Sequence, residues 1–119
     1  MDTVLTRDLD LVSQAVALID QSRGAILISE IARALRISDR TLRNHFNQYV
    51  GCSPKEYTQL VKLKQAAYQM YYSDDSLTTI SHDGQFADQA HFINTLKSVV
   101  GKSPKKIRQD MPHFRFLQF

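Results

Sequence analysis

The stretch Ser38–Gly51, SDRTLRNHFNQYVG, reads as a short helix with two unlike faces. Leu42, Phe46, Tyr49 and Val50 recur at i, i+4, i+7 and i+8, the spacing that gives a helix one apolar face to bury. Arg40, Arg43, Asn44 and Asn47 recur at i, i+3, i+4 and i+7 on the other side, with no carboxylate among them. Guanidinium forks and amides can bond a base edge in two places at once. The stretch is therefore read as a helix that buries one face and offers the other to DNA.

Working outward, Ile28–Arg36 (ISEIARALR) forms a second short helix, and Ser38 caps the third. With Ile31, Leu35 and Ile37 facing Leu42 and Phe46, the pair makes a helix-turn-helix. Its turn lacks the frequent glycine, and an ordinary helical hairpin would show the same pattern. Upstream, a first helix is expected from Arg7 to Ser22. Thr6 would cap it, Asp8 and Asp10 would sit in its first turn, and Gly24 would end it. Leu11, Val12, Ala15, Val16, Leu18 and Ile19 give it a packing role.

Downstream, Gly51 closes the third helix, and Ser53-Pro54-Lys55-Glu56 carries the signature of a capping box with proline at the first helical position. This fourth helix is expected to run to about Tyr72, a span of about 28 Å at ~1.5 Å per residue. Tyr57 is expected to anchor the first unit's core, and Tyr68, Tyr71 and Tyr72 to pack the linker helix between the two units. Ser76 caps a fifth helix with Leu77 and Ile80 facing inward. Asp88–Val100 forms a sixth, with Phe92, Leu96 and Val99 or Val100 as its apolar stripe. Gly101 ends it, and Ser103-Pro104 opens a seventh that halts at Met111-Pro112. The tail HFRFLQF is too short to fold alone and aromatic enough to dock elsewhere.

The chain also repeats itself. VGCSPKEY at Val50–Tyr57 recurs as VGKSPKKI at Val100–Ile107, fifty positions later. The same offset pairs Leu42 with Phe92, Asn44 with Asn94 and Phe46 with Leu96. In the preceding helix the offset is forty-nine, pairing Ile31 with Ile80, Ile37 with Phe86 and Asp39 with Asp88, so one residue is inserted at the second turn. The expected fold is all-α: seven helices forming two helix-turn-helix units joined by a long linker helix. The units span residues 1–52 and 74–112, the linker 53–73 and the tail 113–119. One chain would then reach two major-groove segments as a monomer, where a single unit usually needs a dimer. A bend in the duplex worth a few kcal/mol would be one way to fit both.

Charge supports a nucleic-acid partner more by placement than by amount, since the formal net charge is only +3. Asp2, Asp8, Asp10 and Asp20 face only Arg7 in the first segment. Arg33, Arg36, Arg40, Arg43, Lys55, Lys62 and Lys64 follow against Asp39 and Glu56. Gln65–Leu96 has no Lys or Arg, and then Lys97, Lys102, Lys105, Lys106 and Arg108 come without an acid. Two basic patches around an acidic middle suit a surface that touches phosphates in two places, although solvated helix faces also produce such runs.

Other classes find little support. With 43% hydrophobic residues, 4 Gly and 3 Pro, the chain is neither disordered nor turn-rich. Cys52 stands alone, which excludes an internal disulfide and fits a reducing cytoplasm. Nothing in the charged stretch Met1–Asp10 looks like a signal peptide, and no apolar run approaches ~20 residues. His45, His82, His91 and His113 show no ligand spacing, and nothing resembles a nucleophile elbow, a phosphate loop or paired catalytic carboxylates. No metal, cofactor or enzymatic activity is expected. The rival reading is a helical protein-interaction module that docks through its tyrosines or its tail.

The motifs ISEIARALRISDRTLRNHF, VGCSPKEY, KLKQAAYQM and FADQAHFINTLKSVVGKSPKKI together resemble the DNA-binding domain of the AraC/XylS family of bacterial transcription regulators, over about Leu11–Asp110. The resemblance implies seven helices, two helix-turn-helix units and binding to asymmetric promoter sites. By position, the family's base-reading sites fall on Arg40, Arg43 and Asn44, with Thr41 and Asn47 nearby, and in the second unit on Gln89, Ala90, Ile93 and Asn94. Asn94 stands where the family often has Arg, and Gln85 replaces the usual glycine before Phe86, with Gly84 one position early.

Ala90 and Ile93 offer only contact with a thymine methyl, whereas a bidentate Arg is worth ~1 to 3 kcal/mol of discrimination. The first unit is therefore expected to supply most specificity. The second orients the protein through phosphate contacts from Lys97, Lys102, Lys105, Lys106, His91 and the amides that start the seventh helix. Expected partners are double-stranded promoter DNA and RNA polymerase. Many family members carry a separate sensing or dimerisation domain, for which Met1–Ser22 is too short. The chain is then either a small stand-alone regulator or the C-terminal part of a longer protein, with the aromatic tail favouring the second.

Overall fold

The computed structural model describes residues 3–101 together with 106, and these residues contain helices and turns without strands. The helices are α1 (Thr3–Gln21), α2 (Ile28–Leu35), α3 (Asp39–Tyr49), α4 (Pro54–Tyr72), α5 (Leu77–Asp83) and α6 (Gln89–Val100). The expected seventh helix lies outside the described residues except for Lys106, which is helical. The chain divides into two compact units, residues 1–61 and 62–119. The division falls inside α4, so the helix expected to be a linker supplies part of each core.

In the first unit α1 begins a turn earlier than expected. No glycine or proline interrupts residues 3–6, so Thr6 lies within the helix instead of capping it, and Asp8 and Asp10 fall beyond the first turn. Asp10 accepts a hydrogen bond from Gln14 Nε2 at 2.9 Å, and Asp8 lies 3.1 Å from His45 Nε2 on α3. Gly24 ends the helix at φ +82°, its N–H donating to the Ile19 carbonyl at 2.9 Å. The core gathers Ala15 and Ile19 of α1, Ile31 and Ala32 of α2, Leu42 and Phe46 of α3 and Val61 of α4. Tyr57 closes over it as expected. Its ring meets Phe46 edge-on at 6.0 Å, and its hydroxyl donates to Asp20 Oδ1 at 3.0 Å.

The second unit packs Leu63, Ala66, Ala67 and Met70 of α4 against Ile80, Phe86, Phe92 and Leu96, with Leu77 and Val100 alongside. Of the two valines considered, Val100 faces inward and Val99 is exposed. The tyrosines differ from expectation. Leu63, Ala66, Ala67 and Met70 stand at i, i+3, i+4 and i+7 and fill the inner face of α4, which leaves Tyr68, Tyr71 and Tyr72 exposed. Their rings meet one another instead, Tyr68 tilted against Tyr72 with centroids 4.4 Å apart and Tyr71 edge-on to Tyr72 at 4.6 Å.

The repeat extends to the backbone. α2 ends at Arg36, held at φ +58°, where Arg36 N–H bonds the Arg33 carbonyl and Ile37 N–H the Ala32 carbonyl. Forty-nine positions on, Gln85 stands at φ +61°, bonded to the His82 carbonyl, and Phe86 bonds the Ser81 carbonyl. The caps then shift to an offset of fifty. Ser38 Oγ accepts from Thr41 N–H at 3.0 Å, and Asp88 Oδ1 accepts from His91 N–H at 2.7 Å. Asp88 is therefore the counterpart of Ser38, not of Asp39, and a cap outside α6 instead of its first residue. The inserted residue is Ala87. Gly84 has an ordinary φ of −80°; it is needed for space, because a Cβ there would lie 2.7 Å from Phe86 Cε2.

A residue with a side chain costs ~1 to 2 kcal/mol in the left-handed region, partly offset by the entropy that glycine loses on folding. Gln85→Gly should therefore raise the unfolding free energy by about 0.5 to 1 kcal/mol in urea denaturation, whereas Gly84→Ala should lower it. Burial, followed by the bond to Asp20 and the charge of that carboxylate, pushes the Tyr57 hydroxyl up to about 12. A tyrosine in the unfolded chain ionises near 10, so the stability this bond contributes is complete below that pH. It is lost as pH rises from about 10 to about 12. Tyr57→Phe should cost about 1 kcal/mol at neutral pH, and the difference between the two proteins should shrink across that alkaline window.

Candidate nucleic-acid interface

α3 is positioned by its apolar side. Leu42 and Phe46 are fully buried, and the helix packs on both α1 and α2. Burying each side chain is worth ~1.5 to 3 kcal/mol, enough to fix the helix's rotation about its own axis. The Ser38 cap fixes its start: Ser38 Oγ accepts from Thr41 N–H and donates to Thr41 Oγ1 at 2.8 Å. His45 ties α3 to α1 through Asp8.

With that face buried, Arg40, Arg43, Asn44 and Asn47 are all exposed, and none makes a side-chain hydrogen bond or ion pair with another described residue. Their donors and acceptors are open to a partner. Thr41 is half-buried and already engaged with Ser38. Gln48 is also exposed and extends the stripe one turn past Asn44. Its spacing from Asn44 is the signal that would have included it among the site residues.

The second unit presents a different surface on the same backbone plan. Phe92, Thr95 and Leu96 are the buried residues of α6. Gln89, Ala90 and Asn94 are exposed and Ile93 half-buried. Gln89 Oε1 accepts from Thr78 Oγ1 of α5 at 3.0 Å. His91 is exposed, but its Nδ1 accepts from Ala87 N–H at 3.2 Å and its ring meets Phe86 at 5.6 Å, so it serves the inserted turn as well as the surface. Lys97, near the end of α6, and Lys106 are exposed. Lys102 and Lys105 lie outside the described residues, as does His113. Among the described residues, no group of His, Cys, Asp or Glu is placed to hold a metal ion, and no helix is long and apolar enough to cross a membrane.

Two helix-turn-helix units carrying exposed amide and guanidinium side chains agree with what comparison finds. A family described as a helix-turn-helix domain matches residues 31–110. The chain belongs to the AraC/XylS family. Among its relatives, the HTH-type transcriptional activator RhaS of Escherichia fergusonii is 35% identical over 90 residues, covering 76% of this chain and 32% of the relative. RhaS of Yersinia pestis is 32% identical over 82 residues, covering 69% and 30%. The chain thus spans about a third of the length of the curated relatives it matches.

Solved structures share the fold. A transcriptional regulator from Chromobacterium violaceum superposes with a TM-score of 0.80 at 23% identity, covering 88% of this chain and 95% of that one. The C-terminal domain of AraT, a response regulator from Geobacillus stearothermophilus, gives 0.75 at 21%, covering 83% and 84%. Within this AraC/XylS domain the two units differ in what they offer. The first presents two Arg and two Asn side chains unengaged, and the second an amide already bonded, two apolar side chains and one free Asn.

Proposed function

We propose that the chain binds double-stranded promoter DNA in a sequence-specific manner and regulates transcription. In this reading α3 and α6 enter successive major-groove segments, α3 supplies most base readout, and α6 mainly sets the register. One observation carries it: Arg40, Arg43, Asn44 and Asn47 stand exposed and unengaged opposite the buried Leu42 and Phe46. Recognition helices read base edges with such side chains, and bidentate Arg–guanine pairing is the commonest specific contact. The activator names of the RhaS relatives support a role at promoters. The repeat supports two groove contacts from one chain, acting as a monomer in the cytoplasm with RNA polymerase as a further partner.

Exposed Lys97 and Lys106 fit phosphate contacts that orient the protein without reading sequence. Arg43→Ala should weaken binding to a preferred duplex by ~5-fold to 150-fold and relax its base preference, as loss of a ~1 to 3 kcal/mol contact requires. Asn94→Ala should change affinity less than about threefold. Raising salt from 50 to 200 mM should weaken the wild-type protein by about a hundredfold or more, as release of several phosphate counterions demands. If Asn94→Ala abolished binding while Arg43→Ala did not, the division of labour would be reversed. An affinity flat in salt would instead favour the protein-interaction module.

A further inference from the structure

Gln89 is the one expected base-reading side chain of the second unit that another helix holds by a side-chain hydrogen bond. The Thr78 hydroxyl of α5 donates to its Oε1 at 3.0 Å, and both residues are exposed. A glutamine amide has an acceptor oxygen on one side and two N–H donors on the other. Left to rotate, it reads adenine in two places, giving to N7 and taking from the N6 amino group. With Oε1 held toward α5, the Nε2 donors point away from it, and Oε1 has one of its two lone pairs already used. The counterparts in the first unit, Ser29 and Asp39, are not bonded to each other, so this arrangement belongs to the second unit.

We infer that Thr78 is a positioning residue for sequence recognition: it holds the Gln89 amide donor-side outward, so that the second unit selects base-edge acceptors and rejects donors. In the major groove the acceptors are guanine O6 and N7, adenine N7 and thymine O4, whereas cytosine presents only its N4 amino donor. The position under Gln89 therefore favours guanine or thymine and disfavours cytosine. Adenine gains less than a free glutamine would give it, because its N6 donor meets an oxygen already shared with Thr78. This inference rests on the reading of α6 as a DNA-facing helix. It adds to the second unit one narrow base preference, set by Thr78 acting through Gln89.

The test is a set of dissociation constants for the full chain on duplexes in which each position of the second half-site is varied through the four base pairs. The proteins are wild type, Thr78→Val, Thr78→Ser, Gln89→Ala and the double variant Thr78→Val with Gln89→Ala. Wild type should favour guanine or thymine over cytosine at one position by about two- to tenfold, the range one ordinary hydrogen bond carries. Thr78→Val, which keeps the shape but loses the hydroxyl, should shrink that ratio to below about twofold and improve adenine relative to guanine. Thr78→Ser should retain it.

Gln89→Ala should abolish the preference, and Thr78→Val should then have no further effect. Because both side chains are exposed, the thermal midpoints should stay together, which separates positioning from folding. If Gln89→Ala removes the preference but Thr78→Val leaves it intact, Thr78 positions nothing and the inference is overturned. If Thr78→Val acts equally without Gln89, Thr78 works by another route and the inference is again overturned. If Gln89→Ala changes no position while duplex binding stays salt-dependent, α6 does not read through Gln89 and the inference is overturned with the proposed function intact; an affinity flat in salt would overturn that function as well.

Discussion

Burial of Leu42 and Phe46 is the constraint on which the function of this chain depends. A helix as short as α3 has little stability of its own in water, so its orientation is set by what it packs against. With Leu42 and Phe46 enclosed by residues of α1, α2 and α4, the helix has one rotational setting. Residues on its far side must then face outward, and in this sequence they are Arg40, Arg43, Asn44 and Asn47. The proposed interface is therefore a consequence of the core. Tyr57 reinforces it by closing over Phe46 and bonding back to Asp20, and the Ser38 cap fixes where the helix begins.

The second unit carries different side chains on the same backbone plan. Its turn repeats the bonds of the first, with Gln85 in the place of Arg36 and Phe86 in that of Ile37. The larger Phe86 ring needs Gly84 beside it, and Ala87 is inserted before the Asp88 cap. The local geometry of helix, turn and cap is thus kept while the presented chemistry changes. Side chains of α6 that are not apolar are partly committed to the protein itself, Gln89 to Thr78 and His91 to the inserted turn.

Much of this was legible in the sequence where the cause is local. The Ser53–Glu56 capping box forms in both directions, at 3.1 and 3.2 Å, because its partners are three residues apart and need nothing else. The apolar spacing of α3 identified its buried face for the same reason. Features that depend on neighbours were less visible. Nothing in the composition of α4 says which way Tyr68, Tyr71 and Tyr72 turn, since an aromatic ring suits either face until Leu63, Ala66, Ala67 and Met70 have filled one. The left-handed residues Arg36 and Gln85 carry no glycine to announce them. The repeat showed an insertion at the second turn, but only the caps reveal that it is Ala87. The bond from Thr78 to Gln89 joins two helices and has no sequence signature.

The central claim, one chain with two recognition helices of unequal reading power, makes a direct demand on the DNA. Duplexes selected from a random pool by the wild-type protein should converge on two groups of specified base pairs. Their centres should lie about one helical turn apart. One group should be strongly defined and rich in guanine opposite the arginines of α3, and the other weakly defined. Two equally strong groups, one group alone, or no convergence at all would contradict the account.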